Sequence, residues 1–502
     1  ILTYLIRWRL YMQYFFTLIS GILTGLAMPG NLFSFIIWFS LVFFLRNMVN
    51  SKNYYQRFLH TIIFSASMLV TTLWWLFPTL TKNIPQVLQN YPSFLGFLGF
   101  VGMIILLILP YLIIWLLAEL FHRKNRTYNL LYLSLFYSLA FTSAEILREF
   151  GDLAFTGGNL AYALYDHTGL IQLVSIIGPM GITFIIVFVN SLIAFDKTRN
   201  RSINMLIIFS FIYLLNFSIV RFLPDINYTN NSIKIGAIQT NIPQEIKYSS
   251  DIYKNYSVFS KNISDFQSKD VDLIVFPESS FLEDISNSDV LDYMKMDIQN
   301  SSKPVIIGYP RFDGENYFNS VWFYNEYGTV INVYDKIKLT PFAEFLPYEA
   351  FFNNFQMFKL LRYYSPGEKF NIFEIDSKKF GVQICFETYF PEISASQVKK
   401  GAGFLIAVTN DGWFNSKTAL LQHYTQGIFR ALETRRDFVQ ISNTGLTGSI
   451  DRYGRITNVF KDRQENNGIL YVNYNDSFTI YSQISALLKV IILILALLIA
   501  IF

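Results

Sequence analysis

A single cysteine, Cys385, closes an apolar run in the string GVQICFE. A thiol attacks an acyl carbon only once it is ionised, and a nearby carboxylate can take its proton. A lysine ammonium beside the sulfur favours the thiolate and can hold an oxyanion. Two residues at the ends of apolar runs supply those groups: Glu278 in VFPESS and Lys336 in VYDKIKLTPFAEFLP. The N–H of Phe386, directly after the sulfur, is a candidate second oxyanion donor. The three side chains are 58 and 49 positions apart, so only a fold can join them. Each alone has a plainer reading, the cysteine as an inert core residue and the Glu and Lys as surface groups. One cysteine excludes a disulfide framework and a cysteine-based zinc cluster, and four histidines without an HExxH pair argue against a histidine centre. A cysteine- or histidine-based metal centre is therefore not expected.

The elements that must position this chemistry lie between residues 224 and 482. Apolar runs there are of strand length and are bounded by Gly, Pro, Asn and Asp. Strands are predicted over 233–240, 273–276, 305–309, 320–324, 380–385, 404–409, 438–442 and 469–472. Helices are predicted near 251–266, 392–400 and 418–435. Apolar strands flanked by helices predict layered sheets covered by helices in one domain. Within it, the TNDGWF string (409–414) and Asn443 are expected to shape the substrate pocket near Cys385, with Asp411 and Trp413 reading equally as substrate contacts and as loop scaffolding. Arg430, Glu433 and Arg436 recur at helical i, i+3 spacing and predict a structural ion-pair row. His423 shares that helix; a Cys–His mechanism would use it, but Glu278 already supplies a base.

The rest of the chain is of another kind. Hydrophobic residues make up 52% of the 502, and charged residues only 15% against roughly 25% in soluble domains. Seven apolar stretches approach the ~20 residues that cross a hydrocarbon core: about 11–28, 32–45, 58–76, 94–121, 130–147, 171–195 and 203–222. An eighth runs from 484 to 502. The second is short and is joined to the first by a Met-Pro-Gly-Asn turn, so that pair also reads as a re-entrant hairpin. This gives a membrane domain over 1–223, an extramembrane domain over 224–482 and a final span over 483–502.

Residues 1–223 carry 14 Lys+Arg and 6 Asp+Glu; residues 224–502 carry 26 and 30. The basic excess sits in short loops and is not a nucleic-acid footprint. Arg7, Arg9, Arg46, Lys52, Arg57, Arg123, Lys124, Arg126, Lys197, Arg199 and Arg201 fall on one side, against Lys82 and Arg148 on the other. The cationic side is expected to be cytoplasmic, with both termini there and the large domain outside, in the periplasm. The first run lacks a cleavage site followed by a polar mature sequence and reads as an anchor. Glu119 and Lys489 are expected to snorkel to opposite interfaces. The 149–168 loop lies on the catalytic side as a candidate lipid-access wall. The aromatic stretch 350–364 reads equally as an interfacial arm and as a core helix.

The ordered strings PES, YDK and CFE, with Pro391 after them, resemble the carbon–nitrogen hydrolase (nitrilase) superfamily over about 230–475. LTPFAEFLP, IGAIQTNIPQ, TNDGWF and RALETRRDFVQISNTG, with spans on both sides, make nearly the whole chain resemble its membrane-embedded branch, the apolipoprotein N-acyltransferases. The resemblance implies an αββα sandwich, with Glu278 as general base, Lys336 as oxyanion stabiliser and Cys385 as nucleophile. Glu344 matches a second family glutamate, and Glu387 also falls on a family position. Phe386 stands where many members have Tyr, and Tyr248 where a Trp often follows NIPQ; Tyr248 is a candidate substrate contact. The implied reaction moves an acyl chain from a phospholipid, expected to be phosphatidylethanolamine, through a thioester to the α-amine of a diacylglyceryl-cysteine on an apolipoprotein. The implied location is the bacterial inner membrane, with no cofactor and no nucleic acid. Two rivals remain at this point: a membrane-tethered amidase or nitrilase with water as acceptor, and an inactive lipid-binding membrane protein.

Overall fold

Apolar helices account for most of the first 221 residues. In this computed structural model the described residues are 2–88, 91–123, 129–229, 232–249, 251–352 and 363–502. Among them, five helical segments are long and apolar enough to cross a membrane: Ser93–His122, Leu130–Leu147, Leu170–Phe195, Ser202–Arg221 and Ile480–Ile501. A sixth forms if Tyr54–Thr72 and Leu76–Val87, bent by 68° at their junction, count together. The expected eight are thus not all full spans. The second run is only the short apolar segment Ser34–Asn50, which breaks between a 3-10 turn and a nine-residue helix. Leu2–Leu26 has the length, with 25 residues, but carries Arg7, Arg9 and Gln13 in its first half. Lys124 and Arg126, and residues 353–362 of the aromatic stretch, lie outside the described residues.

The second half forms two six-stranded sheets. Strands are numbered β1 Ile233–Gln239, β2 Leu273–Val275, β3 Val305–Gly308, β4 Arg311–Phe312, β5 Tyr317–Phe318, β6 Ser320–Tyr324 and β7 Val330–Asp335. They continue as β8 Ile372–Ile375, β9 Lys378–Ile384, β10 Phe404–Thr409, β11 Asp437–Ser442, β12 Gly448–Ile450, β13 Ile456–Val459 and β14 Asn466–Val472. One sheet runs β14-β1-β2-β3-β6-β7, the other β13-β12-β11-β10-β9-β8; β4 and β5 form a hairpin. The central strands β1, β2 and β3 are mutually parallel, as are β9, β10 and β11.

Successive side chains of a strand point to opposite faces, and both faces here are apolar. Ile233, Ile235, Ala237, Val275 and Ile306 of one sheet meet Val382, Ile384, Ile406, Val408 and Ile441 of the other in a dry central layer. The opposite face of the first sheet packs on helices Ile252–Ser264 and Asp289–Ser301. The opposite face of the second carries helices Pro391–Lys399 and Lys417–Thr434. This is the expected αββα sandwich. Its second helical layer is continuous with the membrane core: Leu405, Ala407, Tyr424, Phe429 and Leu432 share one apolar cluster with Phe64, Tyr162 and Ile186.

The junction is polar where backbone ends meet. Trp75 Nε1 donates to Gln422 Oε1 at 3.0 Å, and Thr418 Oγ1 donates to the Gly30 carbonyl at 2.8 Å. Gly30 has φ +77°, and a Cβ there would lie 2.7 Å from Thr418 Cα, so the Met-Pro-Gly-Asn turn accepts no larger residue without displacement. Lys489 does not snorkel as expected. It is 12% exposed and ion-paired with the buried Glu149 at the end of the Leu130–Leu147 helix. Glu119 likewise pairs with Arg57, at 2.5 Å, rather than reaching an interface alone. Buried charges at a membrane helix end take partners because desolvation makes solitude costly.

Candidate active site

Parallel strands end together, so the loops at their C-terminal ends converge. Glu278 follows β2, Lys336 follows β7 and Cys385 follows β9. Glu278 is 5% exposed, Lys336 1%, and Cys385 is half-buried. Lys336 Nζ lies 3.5 Å from Glu278 Oε1 and 2.8 Å from Glu344 Oε2. Glu278 and Lys336 exert the strongest charge effects on the Cys385 thiol. The fold thus brings together the three side chains, with Glu344 as a fourth member. Gly308 permits this: a Cβ on it would lie 2.8 Å from Glu278 Cα.

Cys385 opens a 3-10 turn, Cys385–Tyr389, with φ +49°. A left-handed non-glycine residue costs about 1–3 kcal/mol and persists only where its surroundings impose it. Here they do. Thr388 Oγ1 donates to the Cys385 carbonyl at 3.0 Å, and His423 Nε2 lies 3.2 Å from the same oxygen. Glu387 is the central clamp. Its Oε2 accepts the Ile384 N–H at 2.8 Å; its Oε1 accepts the Tyr334 hydroxyl at 2.8 Å and the N–H groups of Ile337 and Lys338 at 2.7 and 3.2 Å. One buried carboxylate therefore ties the turn carrying Cys385 to the segment carrying Lys336. Burial pushes its pKa up to about 7 despite these donors.

Electrostatics assign the resting protonation states. Burial would lower Lys336, but Glu344 and Glu278 outweigh it and hold the ammonium above its ordinary value. Burial would raise Glu344, but Lys336 holds it below the usual carboxylate range. The Cys385 thiol is pushed well up, first by burial and then by Glu278, with Lys336 only partly opposing. The raised thiol fits the expected division of labour, in which a carboxylate takes the proton at the moment of attack and the ammonium only assists.

The remaining sequence candidates divide. Tyr248, 49% exposed, packs on Trp413 with ring centroids 5.4 Å apart, so both stand at the rim. Asp411 and Asn443 are buried supports instead. Asn443 Oδ1 accepts from Thr240 Oγ1 and the Ile242 N–H at 2.7 and 2.9 Å. Asp411 Oδ1 is 2.7 Å from His423 Nδ1, and its Oδ2 accepts from Thr409 and Ser442. Atoms of Cys385, Asp411 and His423 lie within 4.8 Å of one another, a donor set the sequence did not reveal. Both imidazole nitrogens are already engaged by acceptors, so the set reads as support for the nucleophile turn. Arg430 pairs with Glu433 at 2.5 Å as expected, but Arg436 lies beyond the helix end and donates to the Ala402 and Ser477 carbonyls. The 149–168 loop rests on the nucleophile turn: Thr156 Oγ1 donates to the Tyr389 carbonyl at 2.6 Å, and Phe155 stacks on Phe386.

Two participants escaped sequence reasoning. Asn319 Nδ2 donates to both Glu278 Oε1, at 2.8 Å, and Glu344 Oε1, at 2.7 Å. It precedes β6, and nothing in YFNSVWFY marks it. Lys247, 1% exposed, places Nζ 3.4 Å from the Glu278 carbonyl. Its i, i+3 spacing from Gln244 was the only available signal.

Residues 234–475 match the carbon-nitrogen hydrolase family, and residues 20–192 match the apolipoprotein N-acyltransferase N-terminal domain. The chain is 40% identical to the apolipoprotein N-acyltransferase of Thermotoga maritima over 97% of its own length and 95% of the relative's. The chain belongs to the apolipoprotein N-acyltransferase family. Other members diverge further: that of Geobacter metallireducens is 28% identical over 68% of this chain and 69% of its own. Apolipoprotein N-acyltransferase 2 of Treponema denticola is 25% identical over 89% of each. The two matched regions meet in one molecule, as family membership requires: a helical membrane part and a nitrilase-like sandwich.

Proposed function

We propose that this chain N-acylates lipoproteins, moving an acyl chain from a phospholipid to the α-amine of an N-terminal diacylglyceryl-cysteine through a thioester on Cys385. The observation that carries this reading is a half-buried thiol on a strained turn, under the influence of a carboxylate and an ammonium, in a domain whose helical layer is continuous with membrane helices. In the first step Glu278 takes the thiol proton and the sulfur attacks the ester carbonyl. The Lys336 ammonium and the Phe386 N–H hold the oxyanion. The C–O bond breaks, and Glu278 returns the proton to the leaving lysophospholipid hydroxyl. In the second step the neutral amine attacks the thioester, Glu278 takes the amine proton, the C–S bond breaks and the proton passes to sulfur. Glu344 keeps Lys336 charged and in place, Glu387 fixes the two turns relative to each other, and Tyr248 and Trp413 contact the substrate at the rim. Asp411 and Asn443 support the loops around it.

Both substrates hold acyl chains in the bilayer, and withdrawing a chain costs about 0.8 kcal/mol per CH₂. A cavity of about 200 Å³ between the 149–168 loop and the sandwich is lined by Ala154, Lys338, Leu339, Phe386 and Phe390. Its walls are apolar apart from Lys338 and Asp152, which suits an ester entering from a lipid surface. The donor is phosphatidylethanolamine and the location the bacterial inner membrane. The loop cations favour a periplasmic 224–482 domain between cytoplasmic termini. Intact-mass measurement after incubation with phosphatidylethanolamine tests the reading. An added acyl mass, labile to hydroxylamine and absent in Cys385→Ala, is expected. A hydroxylamine-labile adduct that persists in Cys385→Ala, or none in the unmodified protein, refutes it.

A further inference from the structure

Lys247 is a buried titratable group beside the proposed base that this mechanism leaves unused. It sits on the short helix Gln244–Ser249 after β1, one turn beyond Gln244. Its Nζ has two long contacts, the Glu278 carbonyl at 3.4 Å and Asn410 Oδ1 at 3.5 Å. Asn410 is itself held by Asn443 Nδ2 at 2.9 Å. A buried ammonium has three N–H groups to satisfy, and leaving them poorly paired is costly. Gln244, 2% exposed, has both polar atoms of its amide unpaired among the described residues. This wall of the site is therefore polar and buried, with groups unpaired among the described residues, and it stands directly behind the proposed base.

The charges around that base make the role of Lys247 specific. The charged groups that act on Cys385 are Glu278, Lys336, Asp411 and Glu344, with His423 against its carbonyl, the neutral Tyr248, Tyr364 and Tyr389 around them, Lys247 behind Glu278, and Glu387 under four donors. Asp411 and His423 form a pair and cancel. Glu278 and Glu344 against Lys336 leave one negative charge in excess. Such a site would bind the acceptor as an ammonium, which has no lone pair for the thioester. Lys247 neutralises the excess. Burial lowers its own pKa to about 8, partly opposed by Glu278, which leaves it charged at neutral pH.

We propose that Lys247 is a second cation of the site whose charge, set behind Glu278, destabilises the protonated acceptor and so favours the neutral α-amine that attacks the thioester. This rests on the thioester reading. The amine must come within hydrogen-bond reach of the Glu278 carboxylate to lose its proton, and Lys247 lies against the backbone carbonyl of that residue and within electrostatic reach of its carboxylate. At an effective dielectric of about 20, a unit charge roughly 12 Å from an amine shifts it by about one pH unit.

The test uses the full-length enzyme, loaded as acyl-enzyme with phosphatidylethanolamine and then mixed with a diacylated lipopeptide or with methoxyamine, an acceptor already neutral at pH 7. In Lys247→Met the transfer midpoint for the lipopeptide is expected to rise by about one pH unit. At pH 7 the loss is expected to be about tenfold larger for the lipopeptide than for methoxyamine. Lys247→Gln, which keeps a donor for the Glu278 carbonyl but no charge, gives the same shift, and Lys247→Arg restores the midpoint. Equal losses for both acceptors with an unmoved midpoint overturn the proposal, as does Lys247→Gln behaving like the unmodified enzyme. Failure of the unmodified protein to form a hydroxylamine-labile adduct overturns the thioester reading instead, so the two failures are distinct.

Discussion

Asn319 is the test of whether the proposed base is held by geometry or by charge alone. Its single amide nitrogen bridges the two carboxylates at 2.8 and 2.7 Å. Replacing it by leucine keeps the volume and removes both donors. Glu344 retains Lys336 and the Thr340 N–H at 2.7 Å, so it stays in place. Glu278 is left with Lys336 at 3.5 Å and is free to close that gap. A hydrogen bond to a charged group contributes about 1.5–3 kcal/mol. If all of it orients Glu278 toward the sulfur, thioester formation slows roughly 10- to 150-fold. Single-turnover intact-mass kinetics with phosphatidylethanolamine read that step directly, and thermal melting of the detergent-solubilised variant monitors the fold. Asn319→Asp should be slower still at neutral pH, where it adds a third carboxylate. Its rate relative to the unmodified enzyme at the same pH should recover partly on acidification, when its protonated oxygen can donate again. An Asn319→Leu enzyme that melts normally and acylates within about twofold of wild type would show the bridge to be incidental.

Glu387→Gln offers one acceptor oxygen where four donors converge, leaving a buried donor unsatisfied at about 1–3 kcal/mol. Acylation should fall roughly 10- to 100-fold. Protonation of Glu387 below about 7 removes the same acceptor, so the unmodified enzyme should lose acylation as pH falls through that value and the Gln variant should lack that limb. An unchanged rate and an unchanged acid limb in Glu387→Gln count against the clamp. Lys489→Met strands Glu149 in a buried position, and breaking such a pair costs about 3–5 kcal/mol. The melting temperature in detergent should drop clearly and largely return in the Glu149→Gln, Lys489→Met double variant; additive losses would deny the pairing.

How far the sequence reached follows from the range of the interactions involved. Strand and helix patterns are local, so all eight predicted strands and all three predicted helices have counterparts. The strand missed with most consequence, β7, leads directly into Lys336; its run VINVYD mixes an asparagine and an aspartate into an edge strand, which blurs the apolar signal. The eight apolar runs exceed the five or six candidate spans among the described residues because hydropathy registers apolar length but not where a helix bends, as at Thr72–Leu76, or breaks into a 3-10 turn.

The order of chemical residue types along the chain, its apolar runs and the strings that resemble one family were fixed by covalent sequence, and they determined which sulfur, carboxylate and ammonium to look for. Only the tertiary structure decided what surrounds them. It buried Lys489 against Glu149 and turned Asp411 into the partner of His423. It also set Asn319 between two carboxylates and put Lys247 behind the base. Hydrogen bonding and desolvation depend on groups brought within a few ångströms from distant parts of the chain. No spacing rule along the sequence encodes that proximity.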